Sequence, residues 1–266
     1  LAKVLPPPKG STVEIVALGN VPGRRVTWGA PDLTRAAIHL HGGAYVFGSS
    51  KSHQGLGGQV AMRLGCPVYV LDYRLAPEYP WPAAEDDAFA AFQALVASGI
   101  APSDVVVTGD SAGGGLAVGL ALRAIEAGLE PPGMLAMLCP WVDLSPNYPV
   151  ENNDPALTPE FLAVAAARYL AGTTPDHPAR ELLLADLTGL PLILMQISDD
   201  DPSTPDSVRF AERARSFGVE VVDQTFTGVW HGFQAYAGIL QSADDALDSV
   251  AAHARRVWAE AGAARR

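Results

Sequence analysis

The chain has 266 residues, nearly half of them apolar (48%) and only 18% charged, which excludes intrinsic disorder and leaves room for a core that needs no disulfide or metal staple. Eighteen Lys and Arg stand against 29 Asp and Glu, a formal net charge of −11 that repels phosphate backbones and anionic bilayers and so argues against a nucleic-acid partner. No apolar run reaches the ~18 residues that span a bilayer, and Cys66 and Cys139, far apart and outside any Cys-x-x-Cys spacing, fit buried apolar positions better than a disulfide framework.

In chain order, Pro6-Pro7-Pro8 makes a stiff, extended lead-in. Residues 12–18 and 24–28 read as strands, with Gly19-Asn20 and Pro22-Gly23 between them as a hairpin connection. Residues 36–40 form a short apolar strand that ends at Gly42-Gly43, 52–64 have mixed helical spacing, and 67–71 are a buried strand. Pro82 sits where a helix begins, with Glu85, Asp86 and Asp87 complementing the positive end of its dipole, and Gly99 ends it. Val105-Val106-Val107 is a strand that runs into Gly109-Asp110-Ser111-Ala112-Gly113 and then into an Ala/Leu/Gly helix to about residue 127. Strands follow at 134–138, 192–197 and 220–226, and helices near 159–170, 203–217 and 243–261. Strand and helix alternate from residue 36 onward, so the expected architecture is α/β with one doubly wound, mostly parallel sheet. Residues 145–186, rich in Pro and Asn, interrupt the rhythm and read as an insertion over one edge of the sheet.

The chemistry concentrates in three places. Gly109-Asp110-Ser111-Ala112-Gly113 is a G-x-S-x-G between a Val-rich strand and a helix, where a sharp turn lifts a serine hydroxyl above the strand end. The bland reading, an N-capping serine, loses ground because strand–turn–helix is the context the motif requires. His41-Gly42-Gly43-Ala44-Tyr45 follows another strand, and glycines there let successive N–H groups point at one oxyanion. A serine needs a base, and the base needs an orienting carboxylate. Of the histidines after the last strand, His253 lies inside a helix, whereas His231 sits in a loop between Gly228 and Gly232; His231 is the expected base. The acid belongs after the strand at 192–197, where Asp199, Asp200 and Asp201 all stand; Pro202, by fixing the turn into the next helix, favours Asp201. His39 and His41 form a His-x-His pair on a strand, but no third ligand follows at short spacing, so neither a metal nor another cofactor is expected.

With these pieces placed, the chain resembles the hormone-sensitive-lipase-like family of α/β-hydrolase carboxylesterases. The likeness runs from about residue 36 to 258 and rests on His41-Gly42-Gly43, Asp72-Tyr73-Arg74-Leu75-Ala76-Pro77-Glu78, Gly109-Asp110-Ser111-Ala112-Gly113-Gly114, Cys139-Pro140-Trp141-Val142-Asp143-Leu144 and His231-Gly232-Phe233. The resemblance implies an α/β-hydrolase fold with Ser111 as nucleophile, His231 as general base and Asp201 as acid, the last because Phe210-Ala211-Glu212 matches the family's aromatic-Ala-Glu helix. It implies an oxyanion hole from the 42–44 loop (Gly42, Gly43, Ala44) and Ala112, with the Asp72 heptapeptide tying the neighbouring loop. Departures are Ala44 in place of a third glycine and Ser203-Thr204-Pro205 after Asp201-Pro202.

The expected organisation is a single α/β-hydrolase domain over residues 1–266, with cap elements at about 1–10 and 145–186. The expected activity is hydrolysis of short- to medium-chain acyl esters, lactones included, through an acyl-enzyme, by a monomer or homodimer with a small-molecule ester as its partner. The alternative is a non-catalytic small-molecule receptor on the same scaffold, as in the plant gibberellin receptors, which lack the histidine. The chain opens Leu1-Ala2-Lys3 without an initiator Met, which reads as a trimmed start; a cytoplasmic location is expected, with secretion left open.

Overall fold

The structure is a computed structural model, and it describes residues 5–144, 157–171, 173 and 182–265. Eight strands form one sheet: β1 (Ser11–Leu18), β2 (Val21–Trp28), β3 (Ala36–Leu40), β4 (Val68–Leu71), β5 (Val105–Asp110), β6 (Met134–Leu138), β7 (Leu192–Ser198) and β8 (Val221–Phe226). Their order is β1-β2-β4-β3-β5-β6-β7-β8. The β1–β2 and β2–β4 pairs are antiparallel, and all the others are parallel. This is the α/β-hydrolase fold with its mostly parallel sheet.

The central strands are mostly apolar because both faces are covered, with His39, Thr108 and Gln196 among the buried polar exceptions. Alternate residues divide between two cores: Ile38, Leu40, Val105 and Val107 face one, and Ala37, Val68, Val70 and Val106 face the other. The first core is closed by α2 (Ala83–Ala97), α3 (Ala112–Glu126) and α5 (Thr204–Ser216), and the second by α1 (Ser50–Leu64) and α6 (Gln241–Ala264). Cys66 and Cys139 are buried and free. No helix among the described residues is long and apolar enough to cross a membrane.

The hairpin differs from its sequence reading. Pro22 and Gly23 lie inside β2, paired with Ala17 and Val16, and only Gly19-Asn20 makes the turn. Gly23 is there because the backbone of β4 passes so closely that a Cβ would strike the Val70 carbonyl. Asp87 is likewise more than a dipole partner, since it accepts from the Arg74 N–H at 2.8 Å and pairs with the Arg74 guanidinium. Of the expected insertion, α4 (Pro159–Tyr169) is described; residues 145–156, 172 and 174–181 lie outside the described residues. Thr158 caps α4 through the Phe161 N–H at 3.2 Å. Its far end is docked where the Trp81 N–H donates to the Tyr169 carbonyl at 2.7 Å and Tyr45 stacks on Tyr169 at 3.9 Å between centroids. Residues 5–8 lie against α1, close enough that only glycine fits at 55 and 58.

Candidate active site

Ser111 ends β5 and starts α3 with φ 53° and ψ −121°. A non-glycine residue at positive φ costs on the order of 1–2 kcal/mol, so the surrounding bonds must impose it. They do so from two sides: the Ser111 N–H donates to the Leu138 carbonyl and its own carbonyl accepts the Trp141 N–H, each at 2.9 Å. The flanking glycines are sterically required. A Cβ at Gly109 would enter the Gly113 carbonyl, and one at Gly113 the Leu40 carbonyl.

Asp201 and His231 meet from the loops after β7 and β8. His231 Nδ1 lies 2.8 Å from Asp201 Oδ2. The Asp201 side chain is fully buried and that of His231 14% exposed, so the imidazole keeps an edge toward solvent while its orienting acid does not. Asp201 Oδ1 accepts the Ser203 N–H at 2.8 Å and the Ser203 hydroxyl at 2.7 Å. Burial pushes the Asp201 carboxyl up, but the His231 charge and hydrogen bond, with the Ser203 donors, outweigh it and hold the group below its ordinary value. Asp199 and Asp200 are exposed, and Asp199 accepts the Gly228 N–H at 3.2 Å. The geometry therefore brings Asp201, and neither neighbour, to His231.

Cys139 joins the two halves. It follows β6 between the residues that clamp Ser111, and its Sγ, Asp201 and His231 bring one ligand atom each within 4.8 Å of one another. Burial pushes its thiol well up, and the Asp201 charge adds to this, so the group is a neutral S–H beside the carboxylate. Among the described residues this is the one cluster with metal-ligand potential, but its acid and imidazole are already bonded to each other. His39 and His41 are not part of it. Sequence reasoning missed Cys139 as a neighbour of the acid; its signal was the Cys-Pro-Trp motif directly after a central strand.

The glycine loop needs one correction. The Gly42 N–H donates to Asp110 Oδ1 at 3.0 Å, so it is not one of the oxyanion donors expected from the 42–44 loop. The N–H groups of Gly43, Ala44 and Ala112 have no acceptor among the described residues. Ala44, which stands in place of a third glycine, adopts φ 52°, and Tyr45 follows at φ 63°. The Val46 and Phe47 N–H groups both close on the Gly43 carbonyl at 3.0 Å, and the Tyr73 hydroxyl donates to the His41 carbonyl at 2.6 Å. The heptapeptide ties this loop as expected: Asp72 accepts from the Ser50 N–H and hydroxyl at the start of α1, and the Ala76 N–H donates to the Tyr45 carbonyl at 2.9 Å. Of the aromatics near these motifs in the chain, Tyr45, Trp141 and Phe233 are core, whereas Phe47 and Trp230 are about half exposed.

The alpha/beta hydrolase fold family Abhydrolase_3 matches residues 37–235, an interval that holds every residue just described. The chain belongs to this family. Its similarity extends to an esterase of Acinetobacter venetianus, 34% identical over 92% of this chain and 82% of that protein. An acetyl-hydrolase of Streptomyces hygroscopicus is 35% identical over 85% of this chain and 77% of its own length. Among solved structures, an esterase from the bacterial hormone-sensitive lipase family superposes with TM-score 0.91 at 32% identity, covering 95% of this chain and 86% of that one. A hormone-sensitive lipase from a metagenome library gives 0.90 at 33%, covering 94% and 87%. Within the family, then, the chain is an ester hydrolase of the hormone-sensitive-lipase type.

Proposed function

We propose that the chain is a serine carboxylesterase that cleaves short- to medium-chain acyl esters, lactones included, through an acyl-enzyme on Ser111. Ser111 Oγ attacks the ester carbonyl while His231 Nε2 takes its proton, and Asp201 holds the imidazole with Nδ1–H toward its carboxylate. The tetrahedral oxyanion rests on the N–H groups of Gly43, Ala44 and Ala112. His231 returns the proton to the departing alcohol, and water then enters by the same route to release the acid. The observation that carries this reading is the 2.8 Å bond between the exposed-edged His231 and a buried, ionised Asp201, joined through the Cys139 loop to a serine held at positive φ.

The short-chain preference draws support from the acetyl-hydrolase relative, and half-exposed Phe47 and Trp230, one beside the glycine loop and one beside His231 in the chain, offer apolar surface for a small acyl or alcohol group. The domain organisation proposed with it is one unit over residues 1–266, capped by 1–10 and 145–186. Of that cap, residues 5–8 lie against α1, and Phe161 of α4 lies 6.1 Å from Phe47 between ring centroids.

The test is a fluorophosphonate probe read by intact-mass spectrometry. One phosphonyl adduct is expected on the wild type, mapped to Ser111, and none on Ser111→Ala. A protein that stays unlabelled while hydrolysing p-nitrophenyl acetate at the wild-type rate after Ser111→Ala would end the serine mechanism. A chain-length series of p-nitrophenyl esters then fixes the acyl preference.

A further inference from the structure

A second cluster of titratable side chains lies beneath the glycine loop, and the reaction proposed above uses none of them. At its centre is Asp110, the residue between Gly109 and the candidate nucleophile. Its Oδ1 accepts the Gly42 N–H at 3.0 Å and faces His39 Nε2 at 3.2 Å; its Oδ2 faces His53 Nε2 at 3.4 Å. The approach is so close that a Cβ at position 42 would collide with Oδ2.

The contacts suit a ring protonated on both nitrogens. His53 Nδ1 lies 2.9 Å from Ser52 Oγ, whose hydroxyl has the Ser49 carbonyl within donor reach at 2.8 Å. With that bond made, the Ser52 oxygen accepts from Nδ1–H. On the other side stands a carboxylate, which also only accepts, so Nε2 carries one as well. A ring protonated on both nitrogens is a cation. His39 meets the same carboxylate without charge when the Thr108 hydroxyl, 2.8 Å from Nδ1 and 3.4 Å from the Ile38 carbonyl, donates along the shorter contact and leaves Nε2–H for Asp110. His41 completes the layer, stacked between His53 at 5.2 Å and Tyr73 at 4.2 Å between centroids, with Nδ1 2.8 Å from the Gly42 carbonyl.

Among the described residues, the titratable groups facing His53 are Asp110 from the end of β5, His39 from β3 and His41 from the glycine loop. Burial drives His39 down, and burial with the His53 charge drives His41 down to about 4, so both are neutral. Burial works against the charged form of His53 too, but Asp110 and the bond to Ser49 outweigh it and hold the ring above its ordinary value. One anion thus faces one cation.

We infer that His53, held as an imidazolium against Asp110, is a positioning residue for the oxyanion loop. The charge on His53 keeps Asp110 ionised in a buried site; ionised Asp110 pins the Gly42 N–H; and the pinned residue sets the direction in which the next two N–H groups, those of Gly43 and Ala44, present themselves. When His53 loses its proton, a buried carboxylate is left without a counter-charge, and the anchor of the loop weakens. The donors then meet the tetrahedral oxyanion off line. The inference rests on the proposed use of Gly43 and Ala44 as oxyanion donors. Because an oxyanion donor acts on the transition state more than on the bound ester, the effect falls on kcat rather than KM.

Two measurements test it. Ring-nitrogen NMR of the wild type is expected to find both nitrogens of His53 protonated at pH 7, with a deprotonation midpoint above that of free histidine. Steady-state hydrolysis of p-nitrophenyl acetate from pH 5 to 10 is expected to give a kcat that falls about tenfold across the same midpoint, with KM within about twofold. His53→Gln keeps a neutral N–H donor toward Asp110; it is expected to run at about one tenth of the wild-type kcat at pH 7 and to lack the alkaline fall. A neutral His53 ring at pH 7, or an alkaline fall that persists unchanged in His53→Gln, overturns the inference. If that variant does not fold, a wild-type fall whose midpoint differs from the NMR midpoint overturns it equally. Failure of the serine mechanism is separate, since it appears as absent phosphonyl labelling at every pH and leaves the His53 spectra untouched.

Discussion

Two Asp–His pairs sit at the same edge of the sheet, one after β5 and one between the loops after β7 and β8, and they are built differently. In the Asp201–His231 pair the acid is buried and doubly bonded by Ser203, while the imidazole keeps an edge toward solvent. In the Asp110–His53 pair both nitrogens of the ring face partners, and the acid spends its oxygens on a loop amide and two histidines. The first acid is held by its own serine and given over to a single imidazole; the second is shared among a loop amide and two rings. Residue type alone does not separate the two roles. The company each acid keeps does.

Mutation is expected to break this comparison in graded steps. Ser111→Ala and His231→Ala should each lower kcat on the order of 10⁵–10⁶-fold, measured with p-nitrophenyl acetate. Asp201→Asn should cost about 10⁴-fold, because an amide cannot hold the same tautomer, while Asp199→Asn and Asp200→Asn stay within about twofold. A large loss at Asp199 and a small one at Asp201 would reverse the assignment of the acid. Asp110→Asn should lower kcat about 10²-fold, with fluorophosphonate labelling slowed but still confined to Ser111.

Stability against pH sharpens the same contrast. Asp110 and Asp201 are both depressed in the folded chain, so each stabilises it above the unfolded carboxylate value, and that contribution is lost as pH falls through the folded value. His53 is raised, so its contribution is complete below the unfolded histidine value and is lost as pH rises through the folded one. Glu85 is the control: a half-buried acid with no histidine beside it. Burial pushes its carboxyl up to about 7 despite Trp81 and Arg123. Its sign is opposite to that of the aspartates, since the protonated form is the comfortable one and stability is lost as pH rises through about 7. Glu85→Gln should therefore raise stability at pH 8 by about 2–3 kcal/mol in urea denaturation and change little at pH 4. No gain at pH 8 would mean that the Trp81 and Arg123 contacts stabilise the charged form more than burial penalises it.

Much of this was legible in the chain. Apolar runs between turn signals located the central strands, because a strand covered on both faces has few polar positions to disguise it, and 134–138 was read to the residue. Ser111 stands out because strand, turn and helix frame it, and His231 because it sits in a glycine-flanked loop after the last strand, whereas His253 lies in a helix. The three consecutive aspartates resisted spacing arguments. What separates Asp201 is burial beneath a serine whose N–H and hydroxyl both bond it, a contact two residues away that depends on the turn rather than on periodicity. Pro22-Gly23 misled because both residues usually mark turns, whereas here an adjacent backbone demanded the glycine. The Asp110 cluster was hidden for a different reason. Asp110 occupies a position that the motif leaves unspecified, His53 sits on a helix with mixed spacing, and His39 invited a metal reading; only the register of β3 against β5, which sets His39 beside Thr108, brings them together.

The clamp on Ser111 has a wider meaning. Its backbone is bonded to residues 138 and 141, so the serine's setting is fixed by the sheet and by the turn that follows β6. Reactivity and selectivity are therefore expected to fall on different stretches of polypeptide. Exchanging the stretch beyond Leu144 for that of a relative should redraw the menu of accepted esters while the serine reacts with small phosphonates at an unchanged rate, which makes this fold a scaffold in which taste is replaceable and appetite is not.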